Sequence, residues 1–274
     1  MTNVRFFVGL HHPGDARKFE RAFISVNTLR KRKSGFAGYC EWIMDSGAFT
    51  EIATYGAYRD PPSVYAAEIK RWAGEGILLA AVAQDYMCEA HMLIKTGLTI
   101  NEHQMLTIDR YDGLVMCDTG GVYILPVLQG YSLSDYVRHI DMYGDRLPSG
   151  DVIRDEDGKI IRRTGPWVGV GSICKRNGNP AAIEDVLLTI HEARPDLNLH
   201  GFGVKLTALQ SAVVQDHLLT ADSMAWSYAA RMEGRNANNP TEAKRYSDRI
   251  DRIAPQMSFI EDLILRFSRE EKAL

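Results

Sequence analysis

The chain has 274 residues and lacks several features that would settle its class at once. Its four cysteines, Cys40, Cys88, Cys117 and Cys174, lie far apart, with no CxxC or similar pair. That spacing gives neither a zinc knuckle nor a dithiol redox motif, and it suits a reducing compartment. No apolar run approaches the roughly 20 residues of a membrane helix; the longest, around 76–83, is strand-sized. The opening "MTNVRFFVGLHHPG" lacks the long apolar segment and cleavage site of a signal peptide, so a cytoplasmic location with no membrane contact is expected. Internal repeats, low-complexity tracts and linkers long enough to mark a domain boundary are also missing. Nor is there an excess of positive charge, the net value being -3. Basic residues cluster only locally, in "LRKRKS" (29–34), "GKIIRRTG" (158–165) and "CKRNG" (174–178). Such clusters can still grip phosphates, because screening limits each charge to about 10 Å.

What is present is a chain 45% hydrophobic and 24% charged, enough for one large core. Apolar, strand-like runs recur at 4–10, 40–46, 77–85, 122–130, 167–173, 197–204 and 218–226. Segments with helical spacing separate them. "PPSVYAAEIKRWAGEG" ends in glycines, "NPAAIEDVLLTIHEARP" opens on Pro, and "SLSDYVRHIDMYGDRL" begins with a Ser N-cap candidate. Alternation of strand and helix predicts an α/β fold with a parallel sheet. Seven strands in this length favour a (β/α)8 TIM-like barrel, typically about 250 residues. The eighth strand is not legible. One domain, 1–274, is expected, with a C-terminal helical extension over about 236–274 that reads as two amphipathic helices divided near Pro255.

Polar residues gather where a barrel builds its active site, at the C-terminal ends of the strands. The second run ends in Asp45, the third in Gln84 and Asp85, the fourth in Gln129 and Gly130. The fifth ends in Gly169, Val170, Gly171 and Ser172, the sixth carries His200 and Gly203, and the seventh ends in Asp222 and Ser223. A single Asp after a strand is ordinarily an N-cap or turn residue. Three carboxylates, an amide and two glycine pairs at successive strand ends point into one mouth, where the like charges repel one another and imply a task.

That set matches a guanine-like base. Its N1-H and 2-amino donors pair with a carboxylate, and its O6 accepts from a side-chain amide and a backbone N-H. Asp85, Gln129 and the backbone at Gly171 would supply these groups. Phe49 would cover one face of the ring and His200 the other. Small residues at Gly169 and Gly171 would leave space around position 7. Asp45 and Asp222 remain for chemistry, one as nucleophile at an anomeric carbon and one as proton carrier, as in retaining glycosidases.

Six segments in order, "DSGAF", "AQDYMCE", "PVLQG", "VGVGS", "HGFGVK" and "ADSMAWS", resemble the strand-end motifs of the tRNA-guanine transglycosylase superfamily. With "HQMLT" (103–107) and "GSICKR" (171–176), the closer likeness is to its DNA-acting branch, the 7-deazapurine DNA transglycosylases of bacteria and phages. It runs from about Val4 to Arg231. The resemblance implies a (β/α)8 barrel that replaces guanine in nucleic acid by a 7-deazaguanine. It implies Asp222 as nucleophile, Asp45 as general acid/base, and Asp85, Gln129, Gly171, Phe49 and His200 as base-binding residues. The partners implied are DNA and a free, preQ0-like 7-deazaguanine. The tRNA-acting relatives carry a zinc site after the nucleophile. Here no Cys and no His follows residue 222, so no zinc, other metal or cofactor is expected, and the DNA branch is favoured. The same residues also admit a tRNA base-exchange enzyme, a nucleoside or glycoside hydrolase, or a non-catalytic base sensor. Oligomeric state, the substituent on the incoming base and the DNA sequence context stay open.

Overall fold

The computed structural model describes residues 4–158 and 160–253. Its strands are β1 (Arg5–Gly9), β2 (Arg21–Ser25), β3 (Glu41–Asp45), β4 (Ile77–Val82), β5 (Tyr123–Leu125), β6 (Val127–Leu128), β7 (Val152–Arg154), β8 (Ile160–Arg163), β9 (Trp167–Val170), β10 (Asn198–Gly201) and β11 (Leu218–Ser223). Nine of them form one sheet in the order β5-β4-β3-β2-β1-β11-β10-β9-β6, and every neighbouring pair is parallel. The two ends of that order, β5 and β6, are consecutive in the chain and separated only by Pro126. The sheet therefore curls round into a nearly closed barrel. Pro126 has no N-H to give a ladder, which interrupts the strand there, while its carbonyl still accepts from Gly169 N at 2.8 Å.

All seven expected runs contain strand, each a little shorter than its apolar stretch. The strand of the barrel sheet hidden from the sequence is β2, "RAFIS". It has only three apolar residues and follows the charged, turn-rich "PGDARKFE". Its alternate burial turns Ala22 and Ile24 to the core and leaves Arg21, Phe23 and Ser25 half-buried. The register pairs Ser25 with Asp45 and Phe7 with Asp222, so the acidic strand ends share one rim.

The helices between strands follow their sequence signals. Pro62–Trp72 and Pro180–Ala193 each begin on Pro, whose missing N-H costs nothing in a first turn. Ser132 precedes Leu133–Tyr143, where the Asp135 carboxylate accepts from Ser132 N at 2.7 Å. No described helix is long and apolar enough to cross a membrane. One buried apolar cluster joins Phe7, Trp42 and Ile43 to Ile69, Val186 and Ile250 on the helices. Pro240–Asp251, the first helix of the expected extension, buries Ala243 and Ile250. The second helix, expected beyond Pro255, lies outside the described residues.

One basic cluster lies away from the acidic rim. Arg162 and Arg163 are on the β7–β8 antiparallel hairpin, which precedes β9. Arg163 donates to Pro195 O at 3.2 Å and Asp216 O at 3.3 Å, both just before the starts of β10 and β11. The pair therefore sits at the N-terminal end of the barrel, opposite the carboxylates. In the 29–34 run, Arg30 lies 3.6 Å from Asp60 and Arg32 donates to Ser34 O at 2.8 Å. Exposed Lys175, by contrast, follows β9 at the acidic rim.

The helix Ile100–Val115 explains "HQMLT". Its fully buried His103, Gln104 and Thr107 hold the rim from behind. His103 Nδ1 bonds Met87 O at 2.7 Å, and Thr107 Oγ1 accepts from Tyr86 N at 2.9 Å. Gln104 Nε2 donates to Gln129 O at 2.6 Å and Asp135 O at 2.8 Å. Replacing Gln104 by Leu removes a donor from two buried carbonyls. We expect a loss of about 1–3 kcal/mol, read as a lower urea midpoint with an unchanged slope.

Candidate active site

A cleft with about 680 Å³ of open space lies at the C-terminal ends of the strands. Its wall follows the strand order. Asp222 ends β11, and next comes Gly203 after β10. Then come Gly171, Ser172 and Cys174 after β9, Gln129 after β6, Asp85 and Glu89 after β4, and Asp45 at the end of β3. Phe23, Phe49, Val82, Met87 and Phe202 complete it with apolar surface. Among the described residues, four carboxylates share the wall and no Lys or Arg does.

Asp222 is buried and faces Asp45 across the cleft. Its Oδ1 accepts from Gly203 N at 3.1 Å and meets His200 Nε2 at 3.3 Å. His200 Nδ1 meets Thr220 Oγ1 at 2.8 Å, and the Trp167 indole donates to the same hydroxyl at 2.9 Å. An indole only donates. A carboxylate only accepts, so His200 Nε2 carries a proton to Asp222. Asp45 is raised above the ordinary carboxylate range because burial disfavours its charge. Hydrogen bonds from Ser25 and the Gly47 backbone oppose that shift, and the charge of Asp222 adds to it. Gly47 makes the turn after Asp45 with φ +75°, and a Cβ there would lie 2.5 Å from Asn27 Nδ2, so the turn requires glycine.

Asp85 and Gln129 are joined directly, Gln129 Nε2 donating to Asp85 Oδ2. Gln129 Oε1 accepts from Ser172 Oγ at 2.7 Å, which fixes the amide orientation and leaves one Nε2 hydrogen for a ligand. Burial pushes the Asp85 carboxyl up to about 7; the Gln129 bond lowers it in part, and the charge of Asp45 raises it. Ser172 has φ 55°, the only positive value for a non-glycine among the described residues. Strain of this kind marks a position determined by its surroundings: the Ser172 hydroxyl also accepts from Cys88 N and lies against Glu89, both at 3.0 Å.

The structure changes three expectations. The Gly171 N-H donates to Leu128 O at 2.9 Å and so is committed within the barrel. Glycine is needed at 171 because a Cβ there would lie 2.2 Å from Gln129 Nε2. At Gly169 the corresponding space holds the Phe202 ring, so neither glycine opens room for a ligand. His200 is fully buried behind the wall, stacked on Phe23 at 5.7 Å; it supports Asp222 and forms no face of the cleft. Phe49 does line the cleft, at its lip, and is 58% exposed. Phe23 and Ser25 were missed with their strand. Glu89 and Cys174 were missed because a Glu before a helix and a scattered Cys carry no signal of their own. Among the described residues, no group of three or more His, Cys, Asp or Glu side chains is placed to hold a metal ion.

The raised carboxyls give a stability signature. A group whose pKa rises on folding contributes fully below its unfolded value, about 4, and loses that contribution as pH climbs through its folded value. For Asp85 the window runs from there to about 7. Wild type should therefore lose stability relative to Asp85→Asn as pH rises through that window. Urea unfolding of both proteins across it measures the difference, and a gap that does not change with pH would remove the claim.

A family model described as DeoxyPurine in DNA protein A (DpdA) matches residues 2–254. No curated protein matches the chain. The match spans the barrel and all the acidic strand ends, and the chain belongs to that family, the 7-deazapurine DNA transglycosylases.

Proposed function

We propose that the protein exchanges guanine in DNA for a 7-deazaguanine through a covalent Asp222–deoxyribose intermediate. The scaffold in this reading is a single (β/α)8 domain in which β5 and β6 count as one interrupted strand. Zinc has no part in it. The reaction is redox-neutral and swaps one nitrogen for another at the same carbon, so no cofactor is required.

One observation carries the reading: the order of side chains around the cleft is the order of groups around the edge of guanine. Asp222 and Asp45 stand at N9 and the sugar. The Cys174 side corresponds to C8 and position 7. Gln129, with its remaining Nε2 hydrogen, meets O6, and Asp85 meets N1-H and the 2-amino group. Asp45, between Asp85 and Asp222 in the strand order, returns the circuit to N3 and N9. Phe49 covers one face of the ring and apolar residues such as Phe23 and Phe202 back the other.

The target nucleotide enters flipped out or from single-stranded DNA, at a cost of a few kcal/mol for unstacking. Asp222 takes two donors on Oδ1, leaving Oδ2 to attack C1′ from the face opposite the base. The C1′–N9 bond breaks, guanine leaves with the electron pair, and Asp45 delivers a proton to it. Its raised pKa suits that role. Positive charge develops on the sugar as the bond breaks, and a wall with four carboxylates and no cation favours it. A 7-deazaguanine then takes the vacated position. Asp45 removes its N9 proton, N9 attacks C1′, and the C1′–Oδ2 bond breaks. Two inversions restore the β configuration. Exposed Lys175, beside the mouth, is placed for backbone phosphate, whereas Arg162 and Arg163 are not.

Incubation with guanine-containing DNA and a denaturing gel test the assignment. Wild type should show a protein–DNA adduct and Asp222→Asn none. Asp45→Asn should form the adduct slowly and lose about 10²- to 10⁴-fold in turnover. An adduct persisting in Asp222→Asn would end the assignment of the nucleophile.

A further inference from the structure

One carboxylate in the cleft has no role in base exchange as described. Glu89 is 7% exposed and lines the wall. It is the N-cap residue of helix Ala90–Thr96, yet its side chain makes no capping hydrogen bond. No cation pairs with it among the described residues. Its Oε1 accepts from Cys174 Sγ at 3.8 Å, and its Oε2 lies 3.0 Å from Ser172 Oγ, whose one hydrogen goes to Gln129 Oε1. Burial, with the neighbouring Glu89 charge, pushes the Cys174 thiol up to about 11, so both partners are neutral. A buried carboxylate with only neutral partners retains unused lone pairs and an uncompensated desolvation cost.

Its place on the rim says what would compensate it. The chain of contacts runs from Asp222 through Gly203 to Cys174, where a Cβ on Gly203 would lie 2.7 Å from Cys174 Cβ. It continues through Glu89 and Ser172 to Gln129 and Asp85. With N9 at Asp222 and O6 at Gln129, the part of the base between them is C8 and position 7. Glu89 therefore stands where the substituent of a 7-deazaguanine projects.

Resting on the base-exchange reading, we infer that Glu89 is the receptor for a positively charged nitrogen on C7, so that the incoming base carries an aminomethyl or amidino group. This narrows the expected preQ0-like base to its cationic relatives. A nitrile offers only an acceptor and would face a carboxylate, acceptor against acceptor. The departing guanine has the same defect, because its N7 lone pair points to Glu89. The site then holds the incoming base more firmly than the outgoing one, which gives the exchange a direction. A charge-assisted hydrogen bond formed out of water makes that difference large.

Calorimetric titration of the protein with 7-aminomethyl-7-deazaguanine and 7-cyano-7-deazaguanine tests this without catalysis. Wild type should bind the aminomethyl base about 10- to 100-fold more tightly, and Glu89→Gln should collapse that ratio towards one. Equal or tighter binding of the cyano base by wild type overturns the proposal, whatever the variant does. So does a ratio that survives in Glu89→Gln, and so does failure of wild type to bind either base. The DNA adduct is scored on the same preparation. An adduct without the base preference sinks the role of Glu89 alone, and the preference without an adduct sinks the covalent mechanism alone.

Discussion

Carboxylate crowding in one half-enclosed cleft is the constraint on which the rest of the site depends. Asp45, Asp85, Glu89 and Asp222 arrive on different strand ends and loops, and the parallel sheet delivers them all to the same end. Like charges in a low-dielectric cleft raise one another's pKa values, and here burial is the larger cause for both Asp45 and Asp85. Each carboxylate is then held by a different device. Asp222 has the Gly203 amide and the chain from Trp167 through Thr220 and His200. Asp45 has Ser25 and the Gly47 turn, Asp85 has the Gln129 amide, and Glu89 has the Cys174 thiol with the Ser172 hydroxyl alongside. In the proposed reaction the differing supports separate the chemical roles: a nucleophile with one oxygen free, a carboxyl able to hold a proton, and two acceptors for the edges of a base.

Those devices depend on the fold behind them. The helix carrying His103, Gln104 and Thr107 fixes the loop after β4 and the end of β6, so Asp85 and Gln129 meet in one geometry. The break at Pro126 places Gln129 beside β9, where Ser172 and Gly171 complete the amide's surroundings. Ser172 sits in left-handed backbone, and its hydroxyl touches Cys88, Glu89 and Gln129 together. The acidic wall also matches the demands of glycosyl transfer. In the proposed reaction a sugar that becomes cationic as its base departs is stabilised there, while the polyanionic DNA backbone stays outside the cleft.

Much of this was legible because parallel strands buried on both faces read as plain apolar runs, and because Asp45, Asp85, Gln129 and Asp222 stand out where those runs stop. β2 was not legible. Its half-buried face carries Arg21, Phe23 and Ser25, so "RAFIS" has neither a continuous apolar run nor a clean polar-apolar alternation, and the cleft's Phe23 and the hydrogen bond to Asp45 vanished with it. His200 was misplaced for a related reason: position on a strand does not say whether a polar ring faces the cleft or lies behind its wall. The Gly171 N-H looked available because a glycine at a strand end suggests an open backbone, whereas the barrel's own ladder already uses it. Glu89 gave no sign because an acidic residue before a helix is ordinary, and only the side chain's refusal to cap makes it unusual.

The central claim is that base leaves and base enters at one carbon, with the sugar held by the protein between. Mass spectrometry of the nucleosides from DNA incubated with the protein and a 7-deazaguanine tests it most directly. The account predicts a 7-deaza-2′-deoxyguanosine in the digested DNA, matched mole for mole by released guanine. Released guanine accompanied by abasic sites, with no deazapurine nucleoside, would contradict it and make the same carboxylates those of a hydrolase.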